Sequence, residues 1–527
     1  MFKIYNKIKL LIDTGKYLRF KQIYFRLYYL LRSKVRKILK FQYAYSKDSK
    51  SHKIKMLPSI ASLVAYRDNE FIFLNISHKF KSKIDWNCDQ YGKLWTYNLT
   101  YFDFLNQKGI SESEAIELID SFIDDMQSIK DGLEPFPISL RGMNWIKFLS
   151  TYNINEKKID DSLYAQYYIL LDNLEYHLLG NHLLENAFSL LFGAYYFEDE
   201  ILYNKSKELL KIELDEQILK DGGHFELSPM YHQIMLFRVL DCINLIKNNQ
   251  WKDDGLLAFL IVKVEIMLGW LSKITFANGN IPLLNDSTNH IAPTTQQLKE
   301  YSLRLRLEKK DVELLDSGYR KFAHSSYELI VDVGNIGPDY IPGHAHSDTF
   351  NFELYVKGSP LIVDTGLSTY EMNKRRTLER STQSHNTVMI NRCNQSEVWG
   401  GFRVAKRTKI IGIDEDINFV QATHDGYKNN FGILHTRTFT ALEDKIIIKD
   451  DISGNSETVA VAYLHFYPGL TPEIKEQSVQ IGNVRINIDS KNIAIKEYDY
   501  APEFNKRLPA YFIEITFVQK LIMEIRI

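Results

Sequence analysis

The stretch Ser325-Ser-Tyr327-Glu-Leu-Ile-Val-Asp-Val333 is where this 527-residue sequence changes its period. From there on, short segments alternate or run apolar: Tyr327–Val333, Asn351–Val356, Leu361–Asp364, Thr387–Ile390, Lys445–Asp450 and Tyr511–Phe517. Gly, Pro and Asn turns separate them, which is strand-and-turn patterning. Upstream, from about residue 95 to 320, the pattern is mainly helical. Glu112–Ile129, Asn181–Phe197, Pro229–Lys247 and Gly255–Ile274 each read as a helix with one apolar face. Evenly spaced helices of this kind form stacked pairs, a bundle or an α/α toroid. Helices followed by strands mean an α+β chain or two separate domains, with the boundary near residue 325.

Hydrophobic residues are 45% and charged residues 25% of the chain, which excludes disorder, a collagen repeat and a small disulfide scaffold. The 32 tyrosines suit wet clefts that hold sugars as well as cores. Net charge is −1, but residues 1–55 carry 16 Lys/Arg against Asp13 and Asp48, giving +14 and leaving −15 for the rest. This is a basic arm on an acidic body, with no pattern for nucleic acid. Within it, residues 15–40 read as an amphipathic helix with Phe20, Tyr24, Leu27, Leu31, Val35 and Ile38 on one stripe and Arg19, Arg26, Lys34 and Lys37 between them. Such a helix either lies on an anionic membrane surface or packs on the body with its basic face solvated, and packing is the default expectation.

Cys88, Cys242 and Cys393 have neither metal spacing nor an even count, which fits a reducing compartment. The N-terminus MFKIYNKIKLLIDTGKYLRFK shows no apolar h-region and no cleavage site. The expectation is a cytoplasmic protein, with peripheral membrane contact through its arm as the variant and the cell envelope or periplasm as the alternative. The most apolar window, Gly255–Phe276, contains Lys263 and Glu265 and reads as a buried helix.

Several local patterns carry chemistry. In Pro342-Gly-His344-Ala-His346-Ser-Asp348 two histidines at i, i+2 project the same way on extended backbone. Asp364 ends an apolar run and is costly there unless paired or metal-bound. His385 lies in Ser384-His-Asn-Thr387. Together His346, Asp364 and His385 form an N2O set of the kind zinc takes; core histidines and a turn aspartate are the bland alternative. A hairpin turning at Gly358 pairs Asp364 with Phe352, not with His346. In Asp221-Gly-Gly-His224-Phe-Glu226-Leu-Ser228-Pro229-Met-Tyr231-His232, Ser228 reads as an N-cap and Pro229 as N1. Tyr231 then sits in the first turn, where the dipole favours a phenolate. Asn181, in Gly180-Asn-His182-Leu-Leu-Glu185-Asn186, is either the helix N-cap or, with His182, a donor toward a substrate carboxylate. Trp95, Tyr97 and Asn98, and Arg141 and Asn144, offer sugar-stacking faces and donors, or pack in the core.

Seven stretches in this order, at Trp95, Arg141, Asn181, Asp221, Pro342, Val363 and Ser384, resemble the heparinase II/III-like polysaccharide lyases. The resemblance covers residues 95–390. It implies an α+β multidomain chain, with an N-terminal α/α toroid followed by a C-terminal antiparallel β-sandwich. The domains are then residues 1–90 as arm and lead-in, 91–325 as toroid and 326–527 as sandwich. By the same resemblance Tyr231 and His344 are the catalytic pair, and Asn181 or His182 neutralises the uronate carboxylate. Trp95, Tyr97, Asn98, Arg141, Asn144 and Glu226 contact substrate. His346, Asp364 and His385 hold one zinc that braces a sandwich loop. The implied reaction is β-elimination on an acidic, uronate-containing polysaccharide. The basic arm makes the chain look like members that resemble proteins of surface-polysaccharide assembly. Two other readings stand beside the lyase: an inactive zinc-braced carbohydrate-binding subunit, and a hydrolase using Glu185 or Glu226 with Asp221 as paired carboxylates.

Overall fold

A computed structural model describes residues 2–252, 254–454 and 458–527. Two helices, Phe2–Gly15 and Phe20–Ile38, lead the chain, where one was expected over residues 15–40. A three-stranded antiparallel sheet over Tyr66–Lys79 follows. The helical unit then runs from Lys93–Tyr101 to Thr295–Arg304. Its helices start where capping chemistry starts them. Ser111, Asp199, Ser228 and Thr294 each accept a backbone N–H of the first turn. The apolar window forms the helix Leu256–Ile274, burying Leu260, Val264, Met267 and Leu271 at helical spacing. Close packing is set by small residues. A Cβ on Gly142 or on Gly193 would come within 2.7 Å of Tyr167, so these two glycines form the slot that accepts its ring.

Strands open at Tyr319, a few residues before the period change becomes legible. Tyr319–Ala323, Tyr327–Asp332, Phe352–Val356 and Ser359–Ile362 form one antiparallel four-stranded sheet. A second four-stranded sheet contains Val388–Ile390, Val459–His465, Asn492–Glu503 and Lys506–Val518. An eight-stranded sheet runs from Ile410–Asp416 to Glu473–Lys475, with Leu434–Ala441 and Lys445–Ser453 alternating in burial residue by residue. Phe352, Phe439, Ile448, Ile513 and Ile525 belong to one core shared by all three sheets. Lys357 and Gly358, both at positive φ, make the turn before Ser359, and a bulge shifts the register between Tyr355 and Leu354.

One buried polar network braces the largest sheet. His424 meets His435 at 3.0 Å, His435 meets Asp450 at 2.6 Å, and Arg437 Nε donates to Asp450 at 2.7 Å. Burial alone raises the Asp450 carboxyl, but Arg437 and His435 pull it down to about 2. Its stabilising contribution is therefore complete above the ordinary carboxylate range and is lost as pH falls through about 4 toward about 2. We expect Asp450→Asn to flatten the acid limb of the thermal midpoint by the equivalent of about 2 kcal/mol, read by calorimetry between roughly pH 5 and pH 2.

Candidate active site

Ser228 fixes the first functional side chain. Its hydroxyl accepts the Tyr231 N–H at 3.2 Å and donates to the Asp286 carbonyl at 2.9 Å. This holds the start of Pro229–Asn248 against the segment Ile281–Ser287. The Tyr231 ring lies over the His344 imidazole with centroids 3.9 Å apart, and its hydroxyl meets Tyr370 at 3.1 Å. The helix start was expected to favour the phenolate. Instead burial dominates and pushes the Tyr231 hydroxyl far above its ordinary value, so it stays protonated.

His344 and His346 do converge, though on a group the motif does not contain. His344 Nδ1 lies 2.9 Å from Asp286 Oδ2, and His346 Nε2 lies 2.7 Å from Oδ1. Arg376 pairs with both oxygens of the same carboxylate. Asp286 is wholly buried; burial opposes its charge, but Arg376 and the two imidazoles hold it well below the carboxylate range. Asn285 completes the brace, accepting the His346 N–H at 3.0 Å. Since a carboxylate only accepts, Nδ1 of His344 carries the proton, and Nε2, on the opposite side of the ring, points toward Asn181 and Glu226.

Asn181 is not a cap. Leu179 and Gly180, at φ +64 and +59, turn the chain into the helix Gly180–Phe197 without any side-chain cap. The Asn181 amide instead donates to Glu226 Oε2 at 3.0 Å and lies 3.5 Å from His344 Nε2. Glu226 is buried, with Oε1 lacking any hydrogen-bond partner, and burial raises its carboxyl. His182 is held differently: Nδ1 meets Glu175 at 3.1 Å and its ring lies against Phe136. Burial works against the charged form of His182, but Glu175 outweighs it and raises the imidazole.

A cavity of about 340 Å³ opens beside these groups, lined by Asn98, Asp103, Asn181, Tyr231, Arg238 and Tyr370 among others. Of the expected sugar contacts, only Asn98 lines it. Trp95 is wholly buried and donates to the Ile76 carbonyl at 3.2 Å, so it offers no face for stacking. Arg141 is also wholly buried, spent on Gln166 and the carbonyls of Thr100 and Gly132. Asn144 binds the Tyr101 carbonyl and Asp103, and Tyr97 donates to Glu134 at 2.8 Å. These four build the wall behind the cavity rather than its surface. The paired-carboxylate arrangement is not assembled either: Asp221 accepts from Ser317 and Leu315, and Glu185 pairs with Arg238 at 3.1 Å.

His346, Asp364 and His385 meet in one fully buried place. His385 Nδ1 lies 2.7 Å from Asp364, and the His346 and His385 rings are 5.2 Å apart. His346 Nδ1 and His385 Nε2 are buried without partners. Among the described residues no group of three or more His, Cys, Asp or Glu side chains stands in ligating arrangement.

The chain spans about half the length of the curated relatives it matches. A heparin-sulfate lyase of Bacteroides stercoris is 23% identical over 312 residues, 54% of this chain and 45% of the relative. Among solved structures, a heparinase III is similar with a TM-score of 0.63 at 16% identity, covering 85% of this chain and 80% of the other. A heparan sulfate lyase mutant from Pedobacter heparinus has a TM-score of 0.59 at 17% identity over 87% and 81%. The helical unit and the sheets thus have the α/α toroid and β-sandwich fold of the heparinase III structures. Family models described as the heparinase II/III N-terminus and the heparinase II/III-like C-terminal region match residues 144–306 and 307–524. Spanning both units and all of the helix-to-sheet junction where Tyr231 meets His344, these matches make the chain a member of the heparinase II/III family.

Proposed function

We propose that the protein is a polysaccharide lyase that cleaves an acidic, uronate-containing polymer by β-elimination. The observation that carries the reading is that Tyr231 and Asn181 line one cavity and both contact His344, which comes from the second domain and lies directly behind them. The chemistry follows from their states. The Asn181 amide donates to the uronate carboxylate, stabilising charge that develops there as the C5–H bond weakens. His344 Nε2 takes the C5 proton, with Asp286 fixing the ring and favouring the imidazolium that forms. Electrons of the C5–H bond become the C4–C5 double bond, and the C4–O bond breaks. Tyr231, kept protonated by burial, gives its proton to the departing oxygen. Solvent then returns a proton to Tyr231 and removes one from His344. His182, tied to Glu175, supports the neutraliser role less well than Asn181.

For a structural zinc, His346, Asp364 and His385 are donor types the metal takes, and two ring nitrogens lack partners. The Asp364 oxygens are held by His385, Asn351 and Gly366, however, so the three would have to rearrange to ligate. The ion would brace the sandwich loop and is not needed in any proton transfer above. We expect about one zinc per chain by mass spectrometry of the intact protein, with loss of the metal and a lower thermal midpoint in His346→Ala and Asp364→Ala. Full zinc in both variants removes this site. As a separate reading, supported by the basic arm, the protein works on a surface or capsular polymer in the cytoplasm, with the cell envelope or periplasm as the alternative.

The lyase reading is tested by ultraviolet absorbance of unsaturated uronate on a panel that includes heparin, heparan sulfate, chondroitin, alginate and the host's own surface polysaccharide. Rising absorbance with one of them names the substrate class. A flat trace with every polymer, together with tight binding of the host polymer, replaces the enzyme with a carbohydrate-binding subunit.

A further inference from the structure

The helix Phe20–Ile38 has two opposite faces, and the body uses only one. Gln22 donates to the carbonyls of Leu178 and Tyr340, Phe25 stacks on Tyr176 at 4.5 Å, and Arg32 and Arg36 pair with Asp172. These contacts fall at i, i+3 and i+4 spacing and pin the inner face to the toroid. On the other side, Phe20, Tyr24, Leu27, Leu31, Val35 and Ile38 are 81, 51, 59, 60, 52 and 79% exposed. An apolar stripe five turns long therefore faces outward on a helix that is already docked, which a solvated surface does not explain. The preceding helix exposes Ile8, Leu11 and Ile12 as well.

Charge identifies what covers the stripe. Lys7, Lys9, Lys34, Lys37 and Lys40 are exposed, and among the described residues none of them takes part in a salt bridge. The acidic groups that do meet this arm, Glu216 and Asp172, lie on the inner side. Residues 2–41 hold 12 Lys/Arg and only Asp13, so two copies set stripe to stripe would bring like charges together. An apolar band edged by unpaired lysines instead complements anionic headgroups above an acyl layer. Among the described residues no helix is long and apolar enough to cross a membrane.

We propose that this face docks on an anionic lipid bilayer, the helix Phe20–Ile38 lying in the plane of the interface. The proposal is independent of the lyase reading, and its test requires no turnover. Full-length protein is floated with vesicles of phosphatidylglycerol and phosphatidylcholine, or of phosphatidylcholine alone, at low salt. The expected result is binding at least about tenfold stronger on the anionic vesicles. A Leu27→Glu/Leu31→Glu variant, altered only on exposed positions, should lose about tenfold or more of that binding at an unchanged thermal midpoint. Lys34→Glu/Lys37→Glu should weaken binding and reduce its salt dependence. Wild-type protein that stays with neither vesicle overturns the proposal, as does a Leu27→Glu/Leu31→Glu variant that binds like wild type. A dimer in light scattering that this variant splits, without lipid binding, assigns the stripe to a second copy and overturns it equally.

Discussion

Tyr231→Phe keeps the fold and loses turnover. The phenol hydroxyl has one partner, Tyr370 at 3.1 Å, so its removal costs stability of about 1 kcal/mol. The ring itself remains stacked on His344 and continues to line the cavity. Substrate binding should therefore change little. Tyr370 meets the Tyr231 hydroxyl and cannot relay a proton through a phenylalanine, and positioned acid catalysis contributes about 10²- to 10⁴-fold. We expect kcat to fall by about that factor with KM within about threefold, the pattern of an interaction made only in the transition state. Steady-state kinetics on the responsive polymer measure it. A loss confined to KM makes Tyr231 a binding residue, and unchanged kcat removes it from the chemistry.

Asp286→Ala should have the largest effect on stability. Among the described residues, Asp286 alone hydrogen-bonds Arg376, His344 and His346 together, and it is fully buried. Its loss leaves the Arg376 guanidinium, 1% exposed, buried without its counter-charge. Breaking a buried pair in this way costs about 3–5 kcal/mol. Removing both charges at once is a different experiment. In Asp286→Leu/Arg376→Met no uncompensated ion remains, and much of the stability should return. Activity should not return, because His344 has lost the group that fixes its ring. Thermal midpoints and turnover of the wild type and the two variants test this. Equal destabilisation in the single and double variants would show that the carboxylate acts through shape rather than charge.

How far these residues could be seen in the sequence depends on the range of the forces that place them. Helix starts were legible because capping is local: Ser228 and Pro229 open the helix where their types say they should. Strand periods downstream of Ser325 were legible for the same reason, whereas Tyr319–Ala323, with Arg320 and Lys321 inside it, carries too little alternation to stand out. Trp95 and Arg141 stay open between cleft and core in the sequence, because aromatic and cationic side chains serve both alike. Only their neighbours, Ile76 and Gln166, decide which. Tyr231 was placed correctly in the helix, but its protonation was not, since burial is a tertiary property that overrides the helix dipole. Asp286 and Tyr370 went unseen. Each is 58 and 139 residues away in sequence from the partner it serves, and nothing beside them in the chain marks the contact. The arm followed the same logic: its stripe was readable, while the side that faces the body was not, and the polar side proved to be the packed one.

Digestion of the responsive polymer in oxygen-18 water tests the proposed chemistry most directly. β-Elimination forms the C4–C5 double bond without adding water, so each cut yields one unsaturated non-reducing end, and neither new end gains label from the cleavage itself. Mass spectra that show this with wild-type protein, and no products with Tyr231→Phe, are the expected result. Saturated products carrying one oxygen-18 per cut would contradict it, and would make the protein a hydrolase.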